Sequence, residues 1–372
     1  MADLFFYGTL RHVPLLACVA GTELLRHEPA VLPGFEAFLV KDANYPGLRA
    51  APGAGAPGIL VRGMSDEAVA RLDYYEGGHG YVLEPRDVET ENGPVTALVY
   101  LPTRDFADGG PFDLMAWQDR WAQINLFAAQ EVMAQYGLRP AAEVMARYPM
   151  ILTRATARAN AQAGGPVTLR RATRPGDVVV DDQTQPYARF FAIEDYKLRH
   201  RRFDGTMGPQ LDRAVFVSGD AATVLPYDPV TDRVLLVEQF RMGPLARGDA
   251  QVWSLEAIAG RVDPGEMPDQ TARREAVEEA GLTLGALHRV HGYYPSPGAK
   301  TEYLYSFVAE CDLPDSAAGL GGMPGEGEDI RSHVLPFDAA MELLAAGEIE
   351  NAPLILSLYW LAAHRDKLRA RS

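Results

Sequence analysis

Apolar positions in residues 1–103 come in short runs separated by turn residues. "DLFFYGTL", "GFEAFLV", "GILVRGM" and "VTALVYL" each read as a β-strand bounded by Gly, Pro or polar turn formers. One helix is expected among them, from Asp66 to Glu76, stopped by Gly77-Gly78. The period then changes. Leu114, Trp117, Trp121, Ile124, Ala128 and Val132 recur at helical spacing between Asp113 and Gly137. This predicts a helix over Phe112–Tyr136 whose apolar stripe packs on the preceding strands. A second helix is expected over Ala141–Ala159. The stretch "NAQAGGPV", Asn160–Val167, reads as a linker.

A second strand-rich region follows, with "GDVVVDD", "ARFFAIEDYKLRHRRF", "RAVFVSGDAATVLPYD" and "RVLLVEQFRM" as strands. An acidic helix comes next, then strands "HRVHGYYP" and "TEYLYSFVAE". The Gly-rich loop "AGLGGMPGEGEDI" leads into strand "SHVLPF", and helices over Phe337–Ala346 and Ala352–Leu368 finish the pattern.

With 372 residues the chain has room for two to three domains. The apolar fraction of 47% and charged fraction of 23% are those of a soluble globular protein. A net charge of −15 argues against a nucleic-acid or anionic-membrane partner, although a bound metal reverses the local sign at a phosphate site. The basic cluster "KLRHRR" at 197–202 therefore reads as a solvated strand face. Cys18 and Cys311 are the only cysteines, which suits a reducing cytoplasm rather than a disulfide framework. The start "MADLFFYGTL" lacks the basic region of a signal peptide, and no apolar run reaches ~18 residues, so neither secretion nor a membrane span is expected.

The acidic helix raises a question of its own. Pro268 suits its first turn and Gly281 its stop. Between them Glu275, Glu278 and Glu279 share one face at i, i+3 and i+4, at a cost of roughly 0.2–0.5 kcal/mol per like-charged pair. They also crowd the negative end of the helix dipole. Such a set either binds a cation or sits in water; carboxylates are the preferred ligands of hard cations such as Mg²⁺ and Mn²⁺. Gly260 lies upstream, where a side-chain-free residue lets the chain fold tightly over the helix and aim the Ala259 carbonyl inward.

Gly260, five residues, Glu266, seven residues, then Arg274-Glu275-Ala276-Val277-Glu278-Glu279-Ala280-Gly281-Leu282 matches the Nudix box, with Ala276 in place of a bulkier aliphatic. The chain thus resembles the Nudix hydrolases, which cleave nucleoside diphosphates linked to another moiety. "QPYARFFAIEDYKLRHRRFDG", "VLLVEQFRMG", "WSLEAIAG", "EGEDIRSHV" and "NAPLILSLYWL" resemble the ADP-ribose pyrophosphatase branch, and among these the bacterial tellurite-resistance type. The resemblance implies a Mg²⁺-dependent enzyme, with Mn²⁺ as an alternative, that releases AMP and ribose 5-phosphate from ADP-ribose. It assigns Glu275, Glu279 and the Ala259 carbonyl to the metal, with Glu278 and Glu266 in support and Arg274 orienting the glutamates. Glu326 would be the general base and Glu328 a further metal ligand, or the two exchanged. Arg241 and Arg213 would contact the diphosphate and ribose phosphate, Glu302 would lie near the ligand, and Phe190 would stack on adenine from the partner subunit of a homodimer. The alternatives are another nucleotide sugar or dinucleotide as substrate, and a sensor that binds ADP-ribose without cleaving it.

In the first region, "FFYGTLR" offers backbone N–H groups around Gly8, fit to hold a carboxylate. Glu76 stands at the expected helix end, where the dipole disfavours its charge and raises its pKa, unless it is merely a surface residue. Together with "LDYYEG" and "ALVYL" these stretches resemble the γ-glutamylcyclotransferase-like (AIG2-like) family. There Tyr7, Gly8, Thr9 and Leu10 would bind substrate and Glu76 would carry the proton. Many members of that family have no known reaction, so binding or structure is the alternative. The two resemblances imply an α+β protein of two domains: a small N-terminal β-barrel with helices over residues 1–110, a helical extension and linker over 111–165, and an α/β/α Nudix sandwich over 166–372.

Overall fold

The computed structural model describes residues 1–23, 26–323, 325 and 327–370. The chain divides into two units, Met1–Pro166 and Val167–Ser372.

In the first unit the elements are β1 (Ala2–Phe6), α1 (Val13–Ala20), β2 (His27–Val40), β3 (Pro46–Met64), α2 (Asp66–Gly78), β4 (Tyr81–Thr90), β5 (Gly93–Pro102), β6 (Asp108–Pro111), α3 (Leu114–Met133), α4 (Ala141–Met145) and α5 (Tyr148–Ala161). The sheet runs β3-β1-β5-β4-β2-β6, and β3 also pairs with β2, so the pairings pass round five strands and return to β3. Successive side chains of β1 face opposite ways. Phe5 joins Leu32, Leu60, Val88 and Val99 inside the ring of strands. Leu4 and Phe6 join Leu15, Leu72, Trp117, Ile124 and Val132, from the helices outside it. The expected stripe of the third helix is thus core, and Trp117 is 4% exposed.

Local chemistry sets the helix ends. Ser65 Oγ accepts the Ala68 N–H at 3.2 Å at the start of α2. Asp113 accepts from Met115 N–H at 2.8 Å and Ala116 N–H at 3.2 Å at the start of α3. The single helix expected over Ala141–Ala159 is instead two, α4 and α5. Pro149 stands at the start of α5, where it lacks an N–H to continue a helix from Met145. Helix α1 and strand β4 lie where the hydrophobic pattern suggested neither.

The second unit contains β7 (Val178–Ala188), β8 (Ala192–His200), β9 (Leu211–Val217), β10 (Ala221–Asp228), β11 (Arg233–Phe240), α6 (Met242–Arg247), β12 (Trp253–Glu256), β13 (Ile258–Arg261), α7 (Pro268–Ala280), β14 (Leu287–Tyr293), β15 (Leu304–Glu310), β16 (Gly319–Gly321), β17 (Ile330–Pro336), α8 (Phe337–Ala346) and α9 (Ala352–Arg369). The run "RAVFVSGDAATVLPYD", read as one strand, divides at Ser218–Asp220: β9 belongs to the sheet β7-β8-β9, and β10 to the main sheet. The main sheet follows β14-β15-β10-β11-β17-β16, with β12 on β11 and β13 on β10. Its β10–β15 pair is parallel. Leu235 and Val237 face Ala272 and Ala276 of α7, while Val234 and Leu236 face Leu354 and Leu358 of α9. Burial on both faces explains why "VLLV" is apolar without alternation. Among the described residues, no helix is long and apolar enough to cross a membrane.

Candidate active sites

Helix α7 presents its glutamates to β13. Gln270 Oε1 accepts the Met267 N–H at 2.9 Å at its start, and Gly281 ends it at φ +63°. Gly260 is the contact point. A Cβ there would lie 1.7 Å from Glu275 Oε1 and 2.0 Å from its Cδ, so only glycine leaves room for the carboxylate. The Ala259 N–H donates to Glu279. In an extended strand the N–H and C=O of one residue point to the same side, so the Ala259 carbonyl also faces α7.

Arg274 answers part of the charge problem. Its Nη1 donates to Glu275 Oε1 at 2.7 Å and to Glu278 Oε2 at 2.9 Å, while Nε and Nη2 each reach Glu266 at 3.1 Å. Burial pushes the Glu266 carboxyl up, but Arg274 and Thr271 outweigh it and hold it below the usual range. Glu279 has no such partner. It is 1% exposed, and its Oε2 is buried without a hydrogen-bond partner among the described residues. Burial, with the charges of Glu275 and Glu328 beside it, pushes its pKa up to about 8. Burial raises Glu275 to about 7 against the opposing pull of Arg274. The donor set is therefore one that lacks positive charge, as a divalent-cation site does. Among the described residues no three ligating side chains are disposed as a finished cage, and Glu275 turns its Oε1 onto Arg274.

Other residues singled out in the sequence fall in different places. Gly321 of β16 presses on the end of α7, where a Cβ would meet the Glu279 carbonyl oxygen at 2.0 Å. This brings the following loop, with Glu328, within electrostatic reach of Glu275, Glu279 and Arg241. Glu326 lies outside the described residues. Arg241 forks onto buried Glu256 through bonds of 2.9 and 2.7 Å. Phe190 is 55% exposed, and the Arg261 guanidinium sits 4.3 Å from its ring centre. Arg213 lies exposed on β9, donating to the Asp212 carbonyl at 2.8 Å, and among the described residues no hydrogen bond or ion pair ties it to the acidic helix. Glu302 is 3.8 Å from Lys300. Sequence reasoning missed Glu256 and Arg261. Arg261 directly follows Gly260 and could have been noticed; Glu256 needed the β11–β12 register, which sets it beside Val237.

The first unit holds a cavity of about 60 Å³. Tyr7, Gly8, Thr9 and Leu10 line it together with Glu76. Helix α2 runs on to Gly78, so Glu76 sits within its last turn rather than at the surface. Glu76 keeps some surface, but that surface faces the cavity. Burial pushes its pKa up to about 7. The neighbouring His79 is held neutral, its pKa lowered to about 4 by burial.

Fold and sites together define a two-domain α+β protein with a carboxylate-rich cluster in the second unit. Comparison with known proteins gives the family. The NUDIX domain model matches residues 217–358, and the gamma-glutamyl cyclotransferase, AIG2-like model matches residues 4–119. The ADP-ribose pyrophosphatase of Escherichia coli (strain K12) is 38% identical over 193 residues, covering 52% of this chain and 91% of that protein. That of Haemophilus influenzae is 33% identical over 195 residues, covering 52% and 89%. The GDP-mannose pyrophosphatase of Salmonella arizonae is 36% identical over 149 residues, covering 40% and 76%. The chain belongs to the Nudix hydrolases and is a Nudix pyrophosphohydrolase carrying an N-terminal AIG2-like domain.

Proposed function

We propose that the second unit hydrolyses ADP-ribose to AMP and ribose 5-phosphate with Mg²⁺, or Mn²⁺ in its place. The observation that carries this is Glu279: buried, unpaired at Oε2, and crowded by two further carboxylates. Glu275, Glu279, Glu328 and the Ala259 carbonyl would hold the metal, and Arg274 would position Glu266, Glu275 and Glu278. When bound, a divalent cation neutralises the diphosphate and activates water. Arg241, held by Glu256, offers a guanidinium to the diphosphate, with Arg213 and Glu302 as outer contacts. Water attacks one phosphorus, the bridging P–O bond breaks, and Glu326 takes the proton from the water. In a homodimer, Phe190 of one copy would stack on the adenine bound by the other. The relatives named for ADP-ribose and the one named for GDP-mannose together favour a nucleotide sugar over a dinucleotide.

For the first unit we propose γ-glutamyl cyclotransfer, with ligand binding as the alternative. Glu76 takes a proton from the α-amine, the amine nitrogen attacks the γ-carbonyl, and the amide C–N bond breaks. The leaving amine then takes the proton, and 5-oxoproline forms. A measured cyclotransferase activity left unchanged by Glu76→Gln would refute this role.

Product release from ADP-ribose with Mg²⁺ tests the main proposal. Wild type should yield AMP and ribose 5-phosphate, and Glu279→Gln should lose ~100-fold or more. Tight binding without turnover would establish the sensor instead. Faster cleavage of GDP-mannose than of ADP-ribose would reassign the substrate.

A further inference from the structure

The AIG2-like match ends at residue 119, yet the cavity beside Glu76 does not. Asn125 of α3 and Tyr148 of α5 also line it. Both helices pack on the core of the first unit through Ile124, Val132 and Ile151. Trp117 fastens the same wall, donating from Nε1 to the Asn44 carbonyl at 2.6 Å.

These residues form a connected set. The Tyr148 hydroxyl shares a hydrogen bond with that of Tyr75 and lies 3.5 Å from Asn125 Oδ1. Its ring meets His79 edge-on, with centroids 4.8 Å apart. Tyr148 also lies within electrostatic reach of Glu76. Asn125 is 5% exposed; its Nδ2 donates to the Trp121 carbonyl at 3.0 Å, and its Oδ1, which accepts from the Tyr148 hydroxyl, keeps a second lone pair. Asn44, on the same lining, has a buried Nδ2 with no partner among the described residues.

The ionisable side chains of the lining are one-sided. Tyr7, Tyr45, Tyr75, Tyr81, Tyr100 and Tyr148 surround one carboxyl, and no Lys or Arg is among the described lining residues. Phenol oxygens, ring faces and a carboxyl attract a cation.

We propose that α3 and α5 complete the ligand site of the first unit, and that Tyr148 and Asn125 hold the ammonium end of a small amino-acid-like ligand against Glu76. This rests on reading the cavity as a γ-glutamyl site. It adds to that reading specificity residues from a segment outside the matched family region. Tyr148 and Asn125 are positioning residues; neither takes the proton.

The test is calorimetric titration of the full chain with two probes: L-glutamine, and 4-carbamoylbutanoate, which has the same carbon skeleton without the amine. Wild type should prefer L-glutamine by about tenfold or more. Tyr148→Phe and Asn125→Ala should each shrink that preference by about threefold or more, read as the ratio of the two affinities in each folded variant. A purely structural role would weaken both probes alike and leave their ratio unmoved; that result, or equal affinity of wild type for both, overturns the proposal while leaving the γ-glutamyl site intact. Binding of neither probe by wild type overturns the γ-glutamyl reading and this inference with it.

Discussion

Gly260→Ala is the sharpest perturbation the second unit offers. The added Cβ would stand 1.7 Å from Glu275 Oε1, whereas ordinary contact begins near 3.4 Å. The carboxylate must therefore retreat by roughly 1.7 Å, the difference between those distances. Glu275 is 9% exposed and held by Arg274 at 2.7 Å, so retreat breaks that ion pair. The clashing atoms are the end of a flexible side chain, so the fold survives at a cost of about 1–3 kcal/mol. The site does not, because a misplacement of about 1 Å in a reacting constellation costs on the order of 10²-fold. The assay is steady-state hydrolysis of ADP-ribose across a Mg²⁺ titration, beside urea unfolding. Activity should fall ~100-fold or more and half-saturation should need more Mg²⁺. Gly281→Ala is the control: its Cβ meets nothing, but its φ of +63° strains any side chain. It should cost about 1 kcal/mol of stability and leave the metal response unchanged. Gly260→Ala with wild-type turnover would refute the placement of Glu275 in the reaction.

Three further outcomes are expected. The folded pKa of Glu76 is about 7 against an ordinary 4.5, so the folded state holds this proton more tightly than the unfolded state. Its contribution is fully present below pH about 4.5 and is lost as pH rises through 7, worth roughly 3 kcal/mol; the stability difference between wild type and Glu76→Gln should follow that window, and a pH-independent difference would contradict it. Glu131→Ala leaves Arg154, 2% exposed, without the carboxylate that its Nε reaches at 3.1 Å; denaturant unfolding should show a loss of about 3–5 kcal/mol. Arg241→Lys removes the guanidinium fork from Glu256, and KM for ADP-ribose should rise about tenfold with little change in the unfolding midpoint; an unchanged KM would remove Arg241 from the binding site.

The acidic helix was legible because its signals are local. Pro268 and Gly281 mark its ends, and the i, i+3, i+4 spacing puts the glutamates on one face whatever surrounds them. The helical stripe from Leu114 to Val132 was legible for the same reason: period alone distinguishes it from the strands before it. The break at Arg147 was less visible, because Pro149 is compatible with the first turn of a helix as well as with the end of one. Helix α1 was hidden by its length: Val13–Ala20 is too short and too uniformly apolar to show a period.

By itself, the sequence determined the acidic helix and the long helical stripe, the Nudix spacing and the two candidate chemistries, since each depends on residues close together in the chain. Tertiary structure decided which charges are compensated. Arg274 pairs with Glu266, Glu275 and Glu278, while Glu279 makes no such ion pair and feels Arg241 only through space. It decided that Glu76 faces a cavity, and that burial raises its pKa. It also joined Tyr148 to Glu76, and Glu256 to Arg241 across a strand pair. Burial and pairing depend on which distant segments meet, and strand register and helix packing, not local spacing, choose those neighbours.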